Sequence, residues 1–254
     1  MATLRRMQPG TLAAHLALLM ALAAMLCAAI KWLWYPFPYD RLAGGNAFAL
    51  VMVLAILICG AVLAALRWSP KRPIDEPWLL LLLLYGALAV TTWLAVQNRP
   101  VYLVFEFDRF RVVRASDVPR NLLDKAPAGL ATLPTSGPEL LSLRPFRNSD
   151  EQLQNTMAAL HGLPLAARPE MWQAYGLAAN DVIRDARENK NPAKRPMIGS
   201  EGARQAVAEV LQKKQLTEAD VGYLPVVSEK KFWTAVTDLR TGKVVGFMPV
   251  DLYG

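Results

Sequence analysis

The sequence predicts a membrane protein with about three N-terminal transmembrane helices followed by a soluble α+β domain that carries a small antiparallel sheet. Three observations lead there. Residues 1–96 contain apolar runs long enough to cross about 30 Å of hydrocarbon at about 1.5 Å per helical residue. Charge is scarce in that part: residues 1–99 hold eight Lys/Arg and three acids, leaving twenty basic and eighteen acidic residues for the remainder. Beyond residue 96 the pattern changes to short alternating runs and helical periodicities punctuated by proline and glycine. The expected division is therefore a transmembrane module, 1–96, and a periplasmic α+β domain, 97–254.

The first apolar run, 11–30, has only Thr11 and His15 as polar side chains. The second, 47–66, has no charge, and the third, 78–96, contains an unbroken leucine stretch from Leu79 to Leu84. Trp32, Trp34, Tyr35, Phe37 and Tyr39 follow the first run, Trp68 and Trp78 flank the second connection, and Trp93 lies near the third exit. Amphipathic rings favour the headgroup level, so these residues read as an aromatic belt. Orientation follows from the short basic loops. The N-terminal tail and the 67–77 loop share one side and hold five Lys/Arg, against two in the 31–46 loop. The basic side is expected to be cytoplasmic, which puts 97–254 in the periplasm of a bacterial inner-membrane protein. Cys27-Ala28-Ala29 also offers small residues of the signal-cleavage kind. The full length of the run and the aromatic anchor behind it favour a retained helix.

Small residues recur at spacing four in these runs, Gly60/Ala64 among them, and small residues let helices approach closely in lipid. Gly60 and Ala64 are therefore candidate contacts for helix packing or a partner. His15, the one histidine inside a run, joins them because ionisable groups in membranes are functional candidates.

In the soluble part, 101–113 reads as a hairpin. Val101, Leu103 and Phe105 alternate with Tyr102, Val104 and Glu106, and Asp108-Arg109 sit at the turn. Phe105, Phe107 and Phe110 crowd it and are candidates for core or for periplasmic binding surface. Residues 115–148, with Pro119, Pro127, Pro134, Pro138 and Pro145, read as irregular surface chain. Ser149-Asp150-Glu151-Gln152 matches a capping box, and Gly162 with Pro164 closes that helix. A second helix is expected from Pro169 past Asp185, weakened at Gly176, and a third over Glu201–Lys214. Strands are expected at 223–227, 232–238 and 244–248, the last two joined by a turn at Arg240-Thr241-Gly242-Lys243. Pro249 ends the last strand.

The chemistry-bearing residues are sparse. His15 and His161 are the only histidines, and Cys27 and Cys59 lie in apolar runs. A soluble His/Cys metal site, a nucleophile elbow and a complete phosphate loop are all missing from the sequence. Gly199-Ser200-Glu201-Gly202 reads as a helix start, and Glu106 with Asp108 as a solvated turn. No catalytic residue, cofactor or metal is expected. The net charge of +7 sits mostly beside the apolar runs. It therefore points to topology and anionic lipid, not nucleic acid.

Three stretches carry a resemblance. They are Trp34-Tyr35-Pro36-Phe37-Pro38; Arg99-Pro100-Val101-Tyr102-Leu103-Val104-Phe105 with Asp108-Arg109-Phe110-Arg111-Val112-Val113-Arg114-Ala115; and Gly222-Tyr223-Leu224-Pro225 with Thr241-Gly242-Lys243-Val244-Val245-Gly246. Together they resemble the type IV pilin accessory protein family (the TfpX/TfpZ group), with the middle stretch the most specific. The resemblance implies an inner-membrane protein that binds a cognate major pilin and helps it reach or stay in surface pili, without catalysis or a small-molecule substrate. One departure is plain. The family pattern has an Asp and then a Gly-Pro-Leu-Leu-Thr-Leu-like run in the second hydrophobic segment. Here Leu54-Ala55-Ile56-Leu57-Ile58-Cys59-Gly60-Ala61-Val62-Leu63 has neither the Asp nor the Pro. The alternative reading is a binding or scaffold component of another envelope machine.

Overall fold

The computed structural model describes residues 9–43, 53, 57–58, 60–61, 77–190, 201–228 and 231–251, and the chain divides into two units at Asn98/Arg99. In the first unit, helix α1 (Pro9–Trp34) and helix α2 (Pro77–Asn98) both start at a proline, whose missing N–H leaves no donor unpaired in a first turn. Among the described residues these two helices are long and apolar enough to cross a membrane, over Gly10–Trp34 and Leu80–Asn98. Only 22% and 17% of an apolar 18-residue window in each is buried. The core helix of a soluble protein would be mostly covered, so the exposed apolar surface of these helices calls for lipid or a partner.

The seam between the helices has heptad spacing. Leu12, Leu16 and Leu19 pack with Leu81, Ala23 with Leu88, and Ile30 with Ala95. Contacts climb both helices in the same direction, so the pair is parallel. Alternating steps of four and three residues keep one stripe facing the neighbour. The hydroxyls of Thr91 and Thr92 donate to the carbonyls of Ala87 and Leu88 at 2.7 and 2.8 Å. That satisfies them inside an apolar helix. The predicted middle helix, 47–66, lies outside the described residues except for Val53, Leu57, Ile58, Gly60 and Ala61, which are helical.

The second unit is built on one seven-stranded sheet: β1 (Pro100–Glu106), β2 (Arg109–Arg114), β3 (Glu139–Leu143), β4 (Trp172–Ala174), β5 (Val221–Val227), β6 (Phe232–Asp238) and β7 (Val244–Met248), ordered β4-β3-β1-β2-β5-β6-β7. This corrects the expected small antiparallel sheet. Hairpin β1–β2 lies at the centre and is joined on both sides by parallel pairings, β1 to β3 and β2 to β5. Every residue of β1 is buried, as a central strand covered on both faces requires. The helices confirm two covered faces. Val221 and Tyr223 of β5 pack under helix α5 (Glu201–Lys214). Gly222 between them faces helix α4 (Ala179–Glu188), where an added Cβ would lie 2.5 Å from the Ala186 carbonyl oxygen. Alternation along a strand puts these neighbours on opposite faces.

Two expectations fail for tertiary reasons. The proline-rich stretch expected to be irregular contains β3, because Pro134, Pro138 and Pro145 flank the strand and none interrupts its ladder. The helix expected from Pro169 is instead a 3-10 turn, Pro169–Met171, then β4, a second 3-10 turn, Tyr175–Ala178, and only then α4. Trp172 is fully buried, its indole N–H donates to the Ala166 carbonyl at 2.8 Å, and its backbone registers with Leu143. That burial outweighs the local preference for helix. Helix α3 (Ser149–Leu160) starts one residue earlier than the capping box suggested: Asn148 is the cap, accepting from the Glu151 N–H at 2.8 Å. It ends at Gly162, whose φ of +90° suits glycine.

Candidate functional site

The β1–β2 register sets Phe105 opposite Phe110. Their ring centroids are 5.6 Å apart and both side chains are buried, with Phe110 a further 6.2 Å from Tyr175. Phe107 is placed differently. It forms the hairpin tip with φ +61°, and the Asp108 N–H donates to the Glu106 carbonyl at 2.8 Å across it. A bulky side chain at positive φ costs about 1–3 kcal/mol. The ring is 40% exposed and touches Phe146 at 5.4 Å. Flanking ion pairs hold the tip: Arg111 Nε with Glu106 at 2.8 Å, and Arg109 Nε with Asp108 at 2.6 Å. The Glu106 and Asp108 carboxylates of the expected solvated turn are thus occupied by neighbouring arginines.

Helix α3 faces the wrong way for an ordinary surface helix. Its inward side is polar: Asn155 is buried and donates to the Glu151 carbonyl at 2.7 Å. The Glu151 carboxylate takes a two-point hydrogen bond from Arg144, at 2.6 and 3.0 Å, and another from the Arg147 N–H at 2.6 Å. The Arg144 bond first, and the Arg147 bond second, hold this carboxyl down at about 2. Leu153, Met157 and Leu160, at steps of four and three, point outward and are more than half exposed. Sequence reasoning missed this stripe as a surface. Its spacing is that of a core-facing helix, and only the Arg144–Glu151 anchor shows which side faces in.

In the first unit, His15 is half-buried and its Nδ1 lies 2.8 Å from the Thr11 carbonyl, a contact within its own helix. A Cβ added at Gly60 would meet no heavy atom within 4 Å, so the position is open. Ala64 lies outside the described residues. The structure brings Phe105 and Phe110 together. Among the described residues no group of three His, Cys, Asp or Glu side chains could hold a metal ion.

The chain is 28% identical to "Fimbrial assembly protein, serogroup I" of Dichelobacter nodosus, over 88% of each chain. It is 27% identical to the serogroup E1 fimbrial assembly protein of the same organism, again over 88% of each. A shorter relative, the fimbrial assembly protein of serogroups C1 and C2, is 28% identical over 44% of this chain and 87% of its own length. No family model matches the chain, and no solved structure matches it.

Proposed function

Taking this relationship to fimbrial assembly proteins as the premise, we propose that the chain is a non-enzymatic inner-membrane accessory protein that binds a type IV pilin and promotes its assembly or surface display. The observation that carries the reading is similarity to two fimbrial assembly proteins over 88% of both chains. The pilin is the partner implied by the sequence resemblance at Trp34–Pro38, at Arg99–Phe105 with Asp108–Ala115, and at Gly222–Pro225 with Thr241–Gly246.

The geometry supports binding over catalysis. Glu106 and Asp108 are tied to arginines, whereas apolar groups stand exposed at the hairpin tip and along α3. Exposed apolar stripes of this kind are what partner helices use. The parallel pairing of α1 and α2 also supports the proposed topology. Two parallel membrane-spanning helices require the chain between them to cross back, which is the crossing the sequence puts at 47–66. Three crossings leave the second unit on the periplasmic side, where a pilin head would be met, while Gly60 remains open to a pilin's membrane helix.

A binding partner acts by mass action, so the effect on piliation should follow the dose of the protein. The test is a deletion strain scored for surface pili and for pilin synthesis, beside co-purification of pilin with the tagged protein from detergent-solubilised membranes. The expected result is fewer pili with pilin synthesis unchanged, and pilin recovered with the tag. Normal piliation with no pilin recovered would end the reading in favour of a scaffold for another envelope machine.

A further inference from the structure

Between the β1–β3 pair and the loop before β3 lies a cavity of about 360 Å³ lined by Tyr102, Thr132, Leu133, Pro134, Ser136 and Glu139. Tyr102 and Glu139 are register partners on adjacent parallel strands, so their side chains stand side by side on one sheet face. Tyr102 is 1% exposed, wedged edge-on against Trp172 with ring centroids 4.8 Å apart. Neither its hydroxyl nor the Glu139 carboxylate has a hydrogen bond or ion pair among the described residues. The Tyr102 ring is buried, but its hydroxyl is not among the buried atoms left without a partner, so it meets the water of the cavity beside the exposed Glu139 carboxylate, and both groups are available to a ligand there. Burial first, and the Glu139 charge second, push the Tyr102 phenol up to about 12. It therefore stays a neutral O–H at physiological pH. The loop wall is braced independently, since Arg99 donates to the Pro134 carbonyl at 3.5 Å.

We infer that this cavity is a socket for an aliphatic-stemmed cation, a lysine or arginine side chain presented by a partner protein. The groups fit that chemistry in order. Glu139 supplies the charge, Tyr102, Thr132 and Ser136 supply hydroxyl oxygens that accept from an ammonium or guanidinium, and Leu133 with Pro134 flanks the methylene stem. Among the described residues no cationic side chain is in the lining, Arg99 reaching the wall only from behind through the Pro134 carbonyl, and an anion or a carboxylate side chain would meet Glu139 unfavourably. The exposure of Glu139 keeps the intrinsic affinity for one isolated side chain weak, in the millimolar range of about −4 kcal/mol. The socket would therefore set register and specificity within a larger interface.

The experiment uses the full chain in detergent and ligand-observed saturation-transfer NMR with three probes: N-acetyl-lysinamide, its uncharged analogue N-acetyl-norleucinamide, and N-acetyl-aspartamide. The lysine probe is expected to bind with millimolar affinity, the norleucine probe at least about tenfold more weakly, and the aspartate probe not at all. Glu139→Gln should weaken lysine binding about tenfold or more, and Tyr102→Phe should weaken it while keeping the ring that packs on Trp172. Glu209→Gln, on the exposed face of α5, should leave it unchanged. Equal binding of the lysine and norleucine probes, lysine binding that survives Glu139→Gln, or no lysine binding at tens of millimolar would each overturn the inference. No pilin is present in this assay, so its result is independent of the co-purification test.

Discussion

Truncating Phe105 to alanine should destabilise the second unit far more than truncating Phe107, although the two residues lie two positions apart in one hairpin. Phe105 is 3% exposed, with Phe110 against its ring at 5.6 Å. Removing a buried phenylalanine costs about 3–5 kcal/mol, transfer and cavity together. For a unit of this size each kcal/mol moves the melting temperature by about 2–4 °C. Phe105→Ala should therefore lower it by about 6–20 °C. Phe107 already has 40% of its surface in solvent, so its truncation removes no more than about 1–2 kcal/mol of burial. The positive φ of +61° remains after that change. Phe107→Ala should therefore shift the melt by only a few degrees, and Phe107→Gly should recover part of that loss by relieving the backbone. The assay is thermal proteolysis of the full chain in detergent, with the C-terminal unit followed by blot. A Phe105→Ala melt within about 2 °C of the parent, or equal losses for the two alanine variants, would refute this division of the hairpin into core and tip.

Gly222→Ala should destabilise the second unit by about 1–3 kcal/mol through overpacking, because the new Cβ would meet the Ala186 carbonyl oxygen at 2.5 Å, a backbone atom with no side-chain freedom; the same melt reads it. Acid should loosen α3: a carboxyl held at about 2 against its usual 4.5 gives stability that is complete above 4.5 and lost as pH falls toward 2. Hydrogen exchange of the Glu151–Asn155 amides should therefore rise across that window in the parent and be already fast at neutral pH in Glu151→Gln. For topology, a periplasm-active reporter fused after Gly254 should be active and one fused near Lys71 inactive, the reverse pattern inverting the proposed orientation.

Much of the chain was legible from local patterns because those patterns have no competing solution. Long uncharged runs such as 11–30 and 78–96 can hardly be anything but apolar helices, and the structure forms α1 and α2 there. The alternation from Val101 to Glu106, the two-residue turn behind it, and the strands of β5–β7 follow from period-two patterning and turn residues, and were read within a residue or two. The same patterning exposed Phe105, Phe107 and Phe110 as a cluster without saying which of them faced out.

Tertiary structure alone decided what depends on distant partners. β3 and β4 are short, and their positions are set by pairing with β1 and by the burial of Trp172, neither of which leaves a local signal. The parallel joins of β1 to β3 and β2 to β5 turned an expected small antiparallel sheet into a mixed one of seven strands, because strand order is a property of the packed chain. The outward stripe of α3 and the pairing of Tyr102 with Glu139 in one cavity are decisions of the same kind. Helical spacing states that residues share a face, and strand alternation states which side they take. Only the packed neighbours, Arg144 on Glu151 and Trp172 on Tyr102, determine whether that side meets the core, the solvent or a partner.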